Sequence, residues 1–161
     1  MKPLRQLDRE FLSSSCLLKG PALAGKLEFL CDDDVRVIDL SDENTELTLR
    51  QSPKLIWEML KEAAPEQKVL INRVDKVPRL TDYIAAGEKQ LGLKFLLTAE
   101  NERKLHGISG IRLASLHPLT VEELGEHFEI SRALSLGTLP RIYFSKDDEE
   151  ARALLRRYPV N

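Results

Sequence analysis

Between residues 20 and 26 the chain reads Gly20-Pro21-Ala22-Leu23-Ala24-Gly25-Lys26, so a lysine stands directly behind the second of a pair of glycines. Glycine reaches backbone conformations that other residues avoid, and a lysine at the opening of a helix can meet negative charge. The stretch follows the short apolar run Ser15-Cys16-Leu17-Leu18 and precedes a helical pattern. In that frame, backbone N–H groups and a lysine can cradle phosphate groups. The next position would carry a hydroxyl to hold Mg²⁺, but here it is Leu27, with Glu28 behind it. Leucine offers a metal no oxygen, and a glutamate in the first turn puts negative charge close to where phosphate would lie. Spacing alone leaves two readings open: a phosphate cradle, or a tight strand-to-helix turn that merely needs its glycines.

The elements that would position this loop are short apolar runs alternating with helical patterns. Ser15 to Leu18 ends at Gly20-Pro21, and Val35-Arg36-Val37-Ile38-Asp39-Leu40 is β-branched and closes on a polar turn. Val69-Leu70-Ile71 and Lys94-Phe95-Leu96-Leu97-Thr98 have the length expected of buried parallel strands, and Ile111 to Leu116 is a weaker fifth. Ser52-Pro53 reads as an N-cap with a first-turn proline, opening a helix with Leu55, Ile56, Met59, Leu60 and Ala63 on one face and Pro65 at its end. Leu80, Ile84 and Leu91 suggest a second helix, closed by Gly92. Thr120 with Glu123 forms a capping-box pattern, and Ser145, followed by Asp147, Asp148 and Glu149, opens a last helix that ends in Arg156 and Arg157. The alternation predicts a five-stranded parallel sheet with helices on both faces, a three-layer α/β/α sandwich whose ligands sit at the carboxyl ends of the strands.

Composition bounds the partners. The 161 residues are 42% hydrophobic and 31% charged, enough apolar content for a core without disulfides or metals. Lys plus Arg (24) nearly balances Asp plus Glu (26), a net charge of −2, so nothing in the bulk charge calls for nucleic acid or an anionic membrane. No apolar run approaches the ~20 residues of a membrane helix, and Met1 to Glu10 is charged rather than signal-like. A cytoplasmic protein with buried thiols at Cys16 and Cys31 is the expectation.

Further segments fall in order along the chain: Ile38-Asp39-Leu40; Leu70-Ile71-Asn72-Arg73-Val74-Asp75-Lys76-Val77-Pro78; Lys94-Phe95-Leu96-Leu97-Thr98-Ala99-Glu100-Asn101-Glu102-Arg103-Lys104-Leu105. His117-Pro118-Leu119-Thr120 with Glu123-Leu124, then Ala133-Leu134 with Gly137-Thr138-Leu139-Pro140, complete the set. Together with Leu17-Leu18-Lys19-Gly20-Pro21 and Lys26, they resemble the AAA+ P-loop ATPases of bacteria and archaea that usually carry a second, C-terminal domain of unknown function. The resemblance implies a Walker A loop over Gly20, Pro21, Ala22, Leu23, Ala24, Gly25, Lys26 and Leu27, a Walker B segment ending at Asn72 and Arg73, and a sensor-1 region near Glu100. It implies ATP or ADP as the ligand. It also implies one AAA+-like domain over residues 1–161, ending where the family's second domain would begin.

The departures from the family carry the functional reading. Leu27 replaces the metal-side hydroxyl, Asn72 the metal-side aspartate and Arg73 the glutamate that polarises water. An arginine can neither take a proton from water nor sit comfortably beside Mg²⁺, so no catalytic residue is intact and no metal is expected. Asp75 and Glu100 are the nearby acids that could substitute. The helix after the loop is about a turn short, and the acidic run Asp32-Asp33-Asp34 reads as a solvated turn. The segment from Leu105 to Ala114 is compressed against the family pattern, which leaves open whether Arg112 is the family's arginine. His106, His117 and His127 share no metal-ligand spacing. Trp57 reads as a boundary residue, Arg152, Arg156 and Arg157 as complements to a helix end, and Arg103-Lys104 as a weak candidate ligand contact. Three functions stay open: a hydrolysis-deficient pseudo-ATPase with weak metal-independent nucleotide binding, a protein-interaction or scaffolding module that has lost the nucleotide, and an ATPase with substituted acids; a protein partner or a homo-oligomer is open with each. Neither nucleic acid nor membrane is implied as a partner.

Overall fold

A computed structural model describes residues 9–31, 34–65, 67–105, 108 and 110–158 of the chain. A 3₁₀ turn (Arg9–Ser13) leads into β1 (Cys16–Lys19), followed by α1 (Lys26–Leu30), β2 (Val35–Asp39), α2 (Glu43–Gln51) and α3 (Leu55–Lys61). Next come β3 (Lys68–Asn72), α4 (Leu80–Leu91), β4 (Lys94–Ala99) and β5 (Arg112–Ser115). The chain then turns wholly helical with α5 (Val121–Leu124), α6 (Ile130–Leu136), α7 (Pro140–Tyr143) and α8 (Asp148–Arg157).

The strands form one five-stranded sheet in the order β2-β3-β4-β1-β5, every adjacent pair parallel. The central strands are nearly continuous apolar runs because both of their faces are covered. Alternate side chains separate into two layers. Leu17, Ile38, Val69, Ile71, Phe95 and Leu97 pack under α2, α3 and α4 through Leu49, Ile56, Leu60 and Ile84. Cys16, Leu18, Leu70 and Leu96 point to the other face and meet Leu30 of α1, with Phe11, Leu12 and Phe29 alongside. The expected three-layer α/β sandwich is therefore the architecture. Burial in this second layer pushes the Cys16 thiol up to about 11, because a thiolate there would be desolvated.

The helical reading needs three corrections. α2 occupies what the sequence suggests is only a polar turn: Asp42 caps it by accepting from the Thr45 N–H at 2.8 Å, and Leu49 is its one buried residue. Ser52 consequently closes α2 rather than opening α3, and its N–H donates to the Thr48 carbonyl. α3 starts after Lys54. Two further signals agree with the structure, since Gly92 ends α4 in the left-handed region and Thr120 and Glu123 form a reciprocal capping box, whereas α8 is capped by Asp147 and not opened by Ser145. Among the described residues, no helix is long and apolar enough to cross a membrane.

Candidate functional site

The order of strands brings the carboxyl ends of β3, β4 and β1 side by side, and the residues singled out in the sequence leave the sheet there. Because Lys19 pairs with Ala99, the loop after β1 starts beside the end of β4, and the Gly20 N–H donates to the Ala99 carbonyl at 3.3 Å. Gly20 is required for a steric reason. A Cβ there would lie 2.3 Å from the Leu116 carbonyl oxygen, where the chain leaves β5. The loop then turns through Leu23, at φ 63, and Gly25, at φ 75, into α1. Leucine in the left-handed region costs about 1 kcal/mol. Here Leu23 packs against the cluster of Leu136, Ile142 and Ala151 that joins α6, α7 and α8. Ala24 is fully buried in the second layer of the core, and Leu27 packs against that layer.

Lys26 does not extend into solvent. It is 6% exposed, and its ammonium donates to the carbonyls of Gly20 and Pro21 at 2.7 and 2.6 Å. Burial drives its pKa below the ordinary lysine range, against the opposing pull of Glu100. The loop also bears on the helical layer. Pro140 lies 3.6 Å from where a Gly25 Cβ would sit, the Arg141 N–H donates to the Leu23 carbonyl at 3.5 Å, and the Arg141 guanidinium lies 3.8 Å from Glu28. α1, at five residues, is as short as the sequence suggests.

The other half of the site is at the tips of β3 and β4. Asn72 is buried and fully engaged: its amide nitrogen donates to Asp39 Oδ1 at 2.8 Å and to Ser41 Oγ at 3.0 Å, and its oxygen accepts from the Thr98 hydroxyl at 2.5 Å. Thr98 Oγ1 in turn accepts from the Arg73 N–H at 2.9 Å, which helps hold Arg73 at φ 60. The Arg73 guanidinium meets Glu100 Oε1 at 2.8 Å and Asp75 Oδ1 at 3.3 Å. Asp75, 4% exposed, also accepts from the Asn101 N–H at 3.3 Å. Asp75 and Glu100, the two acids singled out in the sequence, are thus both paired with Arg73.

Mg²⁺ does not fit these residues. Leu27 offers only carbon, the Asn72 oxygen already accepts from the Thr98 hydroxyl, and the nearby acids Glu100 and Asp75 are both held by the Arg73 guanidinium, whose charge repels a cation. Among the described residues, no three His, Cys, Asp or Glu side chains come together to hold a metal ion. The two cations nearest the loop are both engaged within the protein, Lys26 with the Gly20 and Pro21 carbonyls and Arg73 with Glu100 and Asp75.

The remaining candidates lie apart or line the rim. A cavity of about 290 Å³ at the ends of β1, β4 and β5 is lined by Gly20, Pro21, Glu100, Arg103 and His117 among others. Lys104 and His127 are exposed, Trp57 is half-buried against the larger core layer, and Arg152 and Arg156 lie along the outer face of α8. Asp34 is exposed, whereas Asp32, Asp33 and His106 lie outside the described residues. The sequence reading missed Asp39, Ser41 and Thr98 as a hydrogen-bonding set, although Asp39 and Thr98 end the very strands it quoted. It also missed the contact of Pro140 and Arg141 with the loop, for which no local signal exists.

The class this fold and site define is an all-parallel three-layer α/β protein with a glycine loop after β1. No family model matches the chain, and no curated protein is recognisably similar to it in sequence.

Proposed function

We propose that this chain is an AAA+-like P-loop domain that does not hydrolyse nucleotide and holds ATP or ADP weakly and without Mg²⁺. The observation that carries this reading is Arg73, at the position where hydrolysis needs a carboxylate, ion-paired to both Glu100 and Asp75. A guanidinium stays protonated throughout the physiological range and cannot serve as general base. Support for the loop half comes from the parallel sheet, the glycine loop leaving β1, and the place of Lys26 at the head of α1.

Calorimetric titration with ATP and ADP, with and without Mg²⁺, tests the reading. The expected result is weak binding that is insensitive to Mg²⁺ and lost in Lys26→Ala, with phosphate release at the buffer rate. Hydrolysis that disappears in Lys26→Ala would overturn it in favour of an ATPase with substituted acids. No heat at millimolar ATP would leave a second reading, a protein-interaction or scaffolding module. One observation favours that alternative: Ile130 and Leu134, one turn apart on α6, are 67% and 83% exposed.

A further inference from the structure

Glu100 is an acid at the mouth of a loop whose frame suits anions. It directly follows β4, and the pairing of Lys19 with Ala99 makes it leave the sheet alongside the first glycine of the loop. On that side the Lys26 ammonium is buried against the Gly20 and Pro21 carbonyls. On the other side Arg73 Nη1 holds Glu100 Oε1 at 2.8 Å. Arg73 has little freedom to swing away, because its N–H is bound to Thr98 Oγ1 at 2.9 Å and its Nε to Asp75 at 3.3 Å. The third cation of the neighbourhood, Lys19, is committed to Glu102 at 2.6 Å. On the Gly20 side of Glu100 lies a cavity of about 290 Å³, whose wall includes Lys19, Gly20, Pro21, Glu100 and Arg103 but neither Lys26 nor Arg73.

We propose that Glu100 is the specificity-determining residue of the loop: its carboxylate occupies the anion seat on Arg73, so the loop takes a polyphosphate only when that carboxylate is displaced or removed. This rests on reading Gly20 to Lys26 as a phosphate loop. A guanidinium prefers a bidentate partner, and a phosphate has the oxygens to supply one. A second anion beside an unmoved carboxylate meets like-charge repulsion in a half-buried place, the usual way a site rejects the wrong ligand. Glu100 therefore keeps the neighbourhood near neutral and weakens phosphate binding without any change in the loop.

The test uses the full chain and inorganic pyrophosphate as the probe, titrated calorimetrically without Mg²⁺ into wild type, Glu100→Gln and Glu100→Ser. Thermal melts check that the variants are folded. Both variants should bind at least about tenfold more tightly than wild type, the scale of one removed like-charge contact, and the gain should vanish when Lys26→Ala is added. Equal affinity in wild type and both variants, still abolished by Lys26→Ala, would overturn the role of Glu100 and leave the phosphate-loop reading intact. No binding in any variant, or binding indifferent to Lys26→Ala, would instead bring down the phosphate-loop reading, and this inference with it.

Discussion

The loop after β1 and the tips of β3 and β4 meet at Gly20 and Ala99, yet they hold their shapes by different means. The loop is shaped by backbone: Gly20 passes where no side chain fits, Gly25 turns in the left-handed region, and Lys26 bonds to main-chain carbonyls. The tips are shaped by side chains: Asp39, Asn72 and Thr98 form one hydrogen-bonded chain, and Glu100, Arg73 and Asp75 form one ion-paired chain. Backbone-built geometry survives side-chain replacement, because its steric causes lie elsewhere in the fold. Side-chain geometry changes its chemistry with each substitution.

Three substitutions probe that contrast. Gly20→Ala should have the largest effect, about 3 kcal/mol of lost stability, because the new Cβ meets the backbone of Leu116 and one strand must move. Chemical denaturation measures it, and a loss well below 1 kcal/mol would show that the loop is not fixed by the exit of β5. Asn72→Asp comes next, at about 2 kcal/mol near neutral pH, since a donor facing Asp39 at 2.8 Å becomes a second carboxylate. The folded variant would hold a proton more tightly than the unfolded chain, so its stability should fall as pH rises through the carboxylate range. Urea melts at pH 4.5 and 7.5 read the sign; a variant that gains stability on raising the pH contradicts the side-chain account. Gly25→Ala should cost least, about 1 kcal/mol, because its penalty is torsional and the new Cβ would lie at ordinary contact distance, 3.6 Å, from Pro140. If Gly25→Ala proves as damaging as Gly20→Ala, the steric distinction between the two glycines fails.

What the sequence made legible follows from how each element is stabilised. Strands covered on both faces must be apolar throughout, so β3 and β4 announce themselves as Val69-Leu70-Ile71 and Phe95-Leu96-Leu97. α4 shows its apolar stripe and its terminal glycine. α2 hides because Leu49 alone is buried, so its pattern is polar and a Ser-Pro pair follows that resembles a helix start. At the site, positions 72 and 73 stood out because they end an apolar run. Their partners did not, because Arg73 reaches Glu100 and Asn72 reaches Asp39 only after three parallel strands are laid side by side. Long-range pairing of polar side chains leaves no periodicity to read.

Leu23 adds a mechanical consequence. One loop residue is seated in the cluster that fastens α6, α7 and α8 together, and the Arg141 N–H grips its carbonyl. Reshaping the loop therefore means unseating an apolar anchor and releasing a helix, which makes the motion a collective one. Amide exchange in the glycine loop should keep pace with exchange in the C-terminal helices, as two parts of one cooperative unit.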